Sequence, residues 1–184
     1  MDISFLYVYI VKSKRVETMR TIIFYLCLSC LVLLPCCRTA VEPASPAFDP
    51  ATEKALVAET IENSICWAMT KDTVKLYGHM VPDSSLYIIN PDSSVTRGIE
   101  EIRYAAEHFW LNERFRATAC VISDLRIGLS KGGDVAWYSC MLDDMAEWDG
   151  RPIGWKNTRW TGVLEKRDGR WLILQMHFSF AQED

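Results

Sequence analysis

The stretch TRWTGVLEKRDGRWLILQMHFSF, Thr158–Phe180, constrains what this chain can fold into more than any other. Two apolar-rich runs flank Asp168-Gly169, a dipeptide suited to the tight turn in which both central residues take positive φ. The sequence therefore predicts a long β-hairpin. Counting back from the turn pairs Leu164 with Ile173, Gly162 with Gln175, Trp160 with His177 and Thr158 with Ser179. Side chains alternate with a period of two, so these pairs share one face. The other face then carries Val163, Leu172, Leu174, Met176, Phe178 and Phe180, and is almost wholly apolar.

The 184 residues suffice for one domain with a substantial core, and no internal linker divides them into two. Seven tryptophans are many for this length. They suit the lining of an apolar cavity, and large core fillers explain them as well. The net charge is −4, and the first 36 residues hold four of the 20 basic and two of the 24 acidic residues, leaving 16 bases against 22 acids. Such a balance argues against a nucleic-acid partner, which requires a basic patch.

Thr21–Cys37, TIIFYLCLSCLVLLPCC, is a short apolar run that follows Arg20 and precedes a polar, proline-bearing stretch. This is the pattern of a secretory signal, and the run is too short for a spanning helix. Its end, LLPCC, resembles a bacterial lipoprotein signal in which a cysteine becomes the lipidated first residue; Cys37 fits that position, with Leu34 three before it. Plain secretion or an uncleaved anchor is the alternative. The expected organisation is a signal region over 1–37, a tether over 38–51 and a domain over 52–184, placed in the cell envelope by a lipid anchor.

Helices are expected over Thr52–Ala68, Lys71–Tyr77 and Gly98–Asn112, and a short strand over Ser85–Asn90. Phe115–Ile127 and Val135–Leu142 alternate as strands around a Lys131-Gly132-Gly133 turn, and Asp143–Lys156 reads as an acidic surface loop.

Helices first and long antiparallel strands last is the order of the nuclear-transport-factor-2-like superfamily, and the chain resembles its SnoaL-like branch. The resemblance rests on TGVLEKRDGRWLILQMHFS, a strand, a charged turn with Gly and a Trp-led strand ending in His-x-Ser, with support from TRGIEEIRYAAEHFW and DSSLYIIN. It covers roughly residues 52–180. It implies an α+β fold, a strongly bent antiparallel sheet wrapped as a cone around three N-terminal helices, with a pocket between them. On that view Trp160, Gln175, His177 and Ser179 face inward, and the apolar convex face bearing Leu172, Leu174, Met176 and Phe178 packs a homodimer; the alternative is that the faces are reversed and the apolar one is core. The superfamily holds isomerases, dehydratases, cyclases and non-catalytic binding or assembly domains, so the resemblance specifies a fold and leaves function open.

Within that pocket His177 is the candidate general acid or base, oriented by Ser179 or Gln175, and a buried, hydrogen-bonded histidine is the alternative. An isomerase would need a carboxylate in the cone; Asp143 and Asp144 are candidates, but their surroundings read as a solvated loop. Trp67, Trp110, Trp137 and Trp160 are candidate walls for a small apolar or aromatic ligand. No CxxC or HxxxH spacing points to a metal, and no cofactor motif is present. Cys120 and Cys140 lie on neighbouring strands but out of register, so free buried thiols are expected at Cys66, Cys120 and Cys140. Three functions stay open: binding of a small apolar molecule, an isomerase or hydro-lyase using His177, and an assembly module.

Overall fold

A computed structural model describes residues 48–181. The expected signal region and the lipidation site Cys37 lie outside the described residues. Helix α1, Pro50–Cys66, starts two residues before the expected Thr52, because Asp49 caps it. The Asp49 carboxylate accepts from the Ala51 and Thr52 amides, each at 3.2 Å, and Pro50 occupies the first helical position, where no amide hydrogen is needed. A 3₁₀ turn, Trp67–Met69, leads to α2, Thr73–Gly78, capped by Asp72. A small hairpin of β1, Tyr87–Ile89, and β2, Val95–Arg97, precedes α3, Gly98–Ala105. There α3 widens into a π-helical turn, Ala106–Trp110, closed by Leu111 N–H donating to Ala106 at 2.8 Å.

Four long strands follow: β3, Phe115–Leu129; β4, Val135–Trp148; β5, Arg151–Arg167; and β6, Arg170–Ser179. The six-stranded sheet has the order β2-β1-β6-β5-β4-β3, antiparallel except that β1 runs parallel to β6. The sheet is curved and unclosed, and the helices fill its concave side. The expected α+β cone is the observed fold. The acidic loop expected over Asp143–Lys156 is instead the tip of a second long hairpin. Asp149 and Gly150, at φ of 51° and 76°, make the same positive-φ turn as Asp168 and Gly169 at 50° and 76°.

The C-terminal hairpin departs from simple counting at one point. Leu164 pairs with Ile173 as expected, but a bulge at Leu174 then shifts the ladder, so Val163 pairs with Gln175, Gly162 with Met176, Thr161 with His177 and Trp160 with Phe178. One extra residue exchanges the faces. Met176 and Phe178 therefore point inward beside Trp160, while Gln175, His177 and Ser179 point outward. The dimer surface expected at Leu172, Leu174, Met176 and Phe178 is corrected accordingly: Leu172, Met176 and Phe178 are at most 4% exposed, and Leu174 packs against the same core. The outer face that a partner could reach carries Val121, Trp137, Thr161 and His177 instead.

The core joins Val57 and Ile61 of α1, Leu76 of α2, Ile99 and Ile102 of α3 and the inward strand positions Ala136, Tyr138, Leu142, Trp160, Leu164, Ile173 and Met176. Trp160 is fully buried, edge-on to Tyr138 and stacked 5.5 Å from Phe178; emptying such a site costs about 3–5 kcal/mol. Glu53 ties α1 to the hairpin, accepting from Lys166 Nζ at 2.6 Å and from the Trp171 indole at 2.7 Å. Both donors favour its carboxylate form and hold Glu53 below its ordinary range.

Cys66 and Cys120 form a disulfide across 54 residues of sequence, and only Cys140 is a free, buried thiol among the described residues. The expectation of three free thiols is thus corrected. The bond pins the end of α1 to β3, a pairing between a helix and a strand that register counting does not reach. Closing a loop of that length restricts the unfolded chain by roughly 4 kcal/mol. Replacing both Cys66 and Cys120 by Ser should lower stability by about 2–4 kcal/mol in urea denaturation; equal midpoints for the oxidised and reduced wild-type chain would show that the bond is not formed.

Candidate functional site

The concave side of the sheet and the helices form a cavity of about 840 Å³, open to solvent on one side, within the range of small-molecule sites, roughly 300–1,000 Å³. The helical wall is built from Ile65, Trp67 and Ala68 where α1 runs into the 3₁₀ turn, Leu76 of α2, Met80, and Ile102, Ala105, Phe109 and Trp110 of α3. The π-helical turn adds a residue to α3, and the adjacent Phe109 and Trp110 both reach the cavity. The sheet wall is built from Ile88, Phe115, Asp144, Ala146, Trp148, Ile153, Gly154, Trp155, Met176 and Phe178. Asn90, Asp92, Ser94 and Thr96 of the β1–β2 hairpin and the exposed Arg151 supply the polar rim.

The rings brace one another. Trp67 stands edge-on to Trp110 at 5.7 Å, Trp155 lies 5.2 Å from Phe178, and Phe109 stacks on Trp148 at 5.0 Å. The Arg114 guanidinium lies 4.9 Å from the Trp148 ring and is anchored by Asp149. Aromatic walls of this kind offer large contact area with little freedom to lose.

Asp144 is the exception in an apolar wall. Along β4 the positions Ala136, Tyr138, Cys140 and Leu142 point inward and are buried; the same alternation carries on through Asp144 and Ala146. Beyond Leu142 the β4–β5 ladder breaks: Leu142 pairs with Thr158, but Asp144 pairs with Trp155. Asn157, at φ 53°, occupies the break, and its amide donates to Asp143 at 2.7 Å. Asp143 therefore stabilises the bulge, while Trp155 is turned inward beside Asp144. Gly154, at φ 118°, permits the close approach, since a Cβ there would sit 2.3 Å from the Asp144 carbonyl oxygen.

No donor among the described residues reaches the Asp144 carboxylate, and burial pushes its pKa up to about 6. The reading of Asp144 as part of a solvated loop is corrected: it is the one acid set into the apolar wall. The signal present in the sequence is the turn dipeptide Asp149-Gly150, from which a strand counted back keeps Asp144 in step with Leu142 and Cys140.

The other expected site residues divide. Trp67 and Trp110 line the cavity. Trp160 lies behind Phe178 in the core. Trp137 is 52% exposed on the outer face, its ring over Gly128 of β3. Gln175, His177 and Ser179 share that outer face through the bulge at Leu174, so His177 is not placed to act in the cavity. Among the described residues no grouping of three or more His, Cys, Asp or Glu could hold a metal ion.

Asp144 has a stability signature of definite sign. Between its ordinary 3.8 and about 6 the folded chain retains a proton that the unfolded chain has lost, so stability falls as pH rises through that window and stays lower above it. Asp144→Asn should therefore stabilise the unliganded protein by about 1–3 kcal/mol at pH 7.5 and leave it unchanged near pH 4. Urea denaturation at the two pH values measures this; a variant less stable at pH 7.5 would show that the carboxylate is well paired.

With this geometry in place, solved structures give the same architecture. An NTF2-like protein from Cytophaga hutchinsonii matches with a TM-score of 0.57 and 16% identity, covering 70% of this chain and 98% of that one. A candidate dehydratase of the NTF2-like family from Streptomyces avermitilis matches at 0.60 and 16%, over 73% of this chain and 100% of the other. A CamKII hub homology domain from Chlamydomonas reinhardtii matches at 0.56 and 17%, over 70% of this chain and 98% of that one. At these identities the likeness concerns the fold alone. No curated protein matches the chain in sequence. The SnoaL-like domain profile matches residues 57–183, from within α1 through all of β6, and the chain belongs to the SnoaL-like domain family.

Proposed function

We propose that this domain binds a small, largely apolar or aromatic molecule in the cone. The cavity carries the reading: about 840 Å³ walled by aromatic and aliphatic side chains, with a polar rim and a single inset acid. Export to an oxidising compartment, expected from Thr21–Cys37 and lipid attachment at Cys37, belongs to this reading and is supported by the Cys66–Cys120 disulfide.

A second reading is proton transfer on such a ligand, with Asp144 in the role that the sequence suggested for His177. Its support is a carboxyl group held near neutrality by an apolar wall, which suits a general base or acid of an isomerase or hydro-lyase. As base, the carboxylate would take a proton from carbon beside a carbonyl and return it one position along.

Nile red, a neutral apolar fluorophore, tests the cavity on the full-length chain. It should bind one per chain with enhanced emission, and Ala146→Phe, which adds a ring to the sheet wall, should weaken it about tenfold or more while the far-ultraviolet circular dichroism is unchanged. Equal binding by a folded Ala146→Phe chain would place the dye elsewhere and remove the support for a cavity ligand.

A further inference from the structure

Asp144 has neighbours that bear on the kind of ligand the cavity takes. Its ladder partners are Cys120 on β3, which is committed to the disulfide, and Trp155 on β5. Neither is a cation. The charged residues of the lining besides Asp144 are Asp92 and Arg151, both exposed. Arg151 pairs with Trp148 at the tip of the hairpin, four residues along β5 from Trp155, or about 13 Å at the rise of an extended strand. Burial alone accounts for the displaced titration of Asp144, with no contribution from a positive group. The protein thus sets a carboxylate into an apolar wall without supplying its counter-charge.

A carboxylate in that position is costly unless something pairs with it. With its pKa near 6 it is mostly ionised at neutral pH. A neutral apolar ligand would bury it further and unpaired. An anionic ligand would meet it with like charge, and at the rim the exposed charges of Asp92 and Arg151 are of opposite sign. Trp155 is its neighbour on β5, and the same cavity is lined by the rings of Trp67, Trp110, Phe109 and Phe115, whose electron-rich faces attract cations. Trp148 contributes less, because Phe109 and the Arg114 guanidinium already stack on it.

We infer that the cavity takes a hydrophobic amine, its protonated nitrogen seated against the Asp144 carboxylate and its apolar body held among the aromatic rings. The inference rests on the reading of the cavity as a small-molecule site and adds the charge of the molecule. An ammonium group there supplies the missing counter-charge, donates charge-assisted hydrogen bonds and gains from the ring faces at once.

Three naphthalene compounds of similar size and different charge, the first two isosteric, test it on the full-length chain by isothermal titration: 1-(2-naphthyl)ethylamine, 1-(2-naphthyl)ethanol and 2-naphthylacetic acid. At pH 8 the amine should bind at least about tenfold more tightly than the alcohol, and the acid more weakly than both. Lowering the pH to 5 protonates Asp144 and should weaken the amine about tenfold, whereas the alcohol, no longer burying an unpaired carboxylate, should bind at least as tightly as at pH 8. Asp144→Asn should bring the amine to the level of the alcohol and abolish its pH dependence. An alcohol that binds as well as the amine, or an amine unaffected by Asp144→Asn, overturns the charge assignment while leaving the cavity reading intact. Failure of all three to bind also overturns the amine assignment, and Nile red binding then decides separately whether the cavity takes ligands at all.

Discussion

A twisted sheet of long strands closes around helices only where its ladders are interrupted, and the cavity depends on those interruptions. Breaks in register fall between Ala117 and Ala119 and between Ser123 and Arg126 on β3, between Leu142 and Asp144 on β4, and beside Leu164 where β6 inserts Leu174. Each extra residue bends a strand and changes which side chains face inward. On β5, Thr158, Trp160, Gly162 and Leu164 point inward on one side of the Asn157 break, and Ile153 and Trp155 on the other. One half of the strand packs the core and the other lines the cavity. The same hairpin therefore serves both stability and recognition without the two competing for positions.

Within that geometry, hydrophobic packing and the placement of one charge work against each other. Trp160, Phe178 and Tyr138 stabilise the narrow part of the cone through contact and exclusion of water. Asp144 sits in the continuation of the same wall, where burial opposes its ionisation. A residue that weakens the unliganded fold is retained most readily where it acts on a ligand. Glu53 makes the contrast clear: it too is largely shielded, but Lys166 and Trp171 donate to it, and its charge is a structural tie between α1 and the hairpin. Two carboxylates, one supplied with partners and one left without, thus have opposite effects on the folded chain.

Much of this architecture was legible in the sequence. Asp168-Gly169 located the last hairpin and Leu164 its pairing with Ile173, because turn chemistry acts over a few residues. The bulge at Leu174 was not legible: no glycine or proline marks it, and it arises from the curvature of the whole sheet. That one residue moved His177, Gln175 and Ser179 from the inner to the outer face. Asp144, by contrast, could have been found. Asp149-Gly150 is the same turn signal as Asp168-Gly169, and a strand extended back from it keeps Asp144 in step with Cys140 and Leu142. Trp67 and Trp110 were recognisable as candidates for the wall because they end helices whose apolar stripes were plain. Cys66 with Cys120 was out of reach, since the pairing joins residues 54 apart in sequence whose approach only the folded cone defines.

The distribution of indole rings has an optical consequence. Trp67, Trp110, Trp148 and Trp155 line the cavity, Trp160 and Trp171 are buried in the core, and Trp137 alone is about half exposed on the far side of the sheet. An occupant would alter the emission of the four lining indoles together, whereas a water-soluble quencher would reach Trp137 first. The protein's intrinsic fluorescence thus contains separable signals for an occupied interior and for a covered outer face, without any label attached.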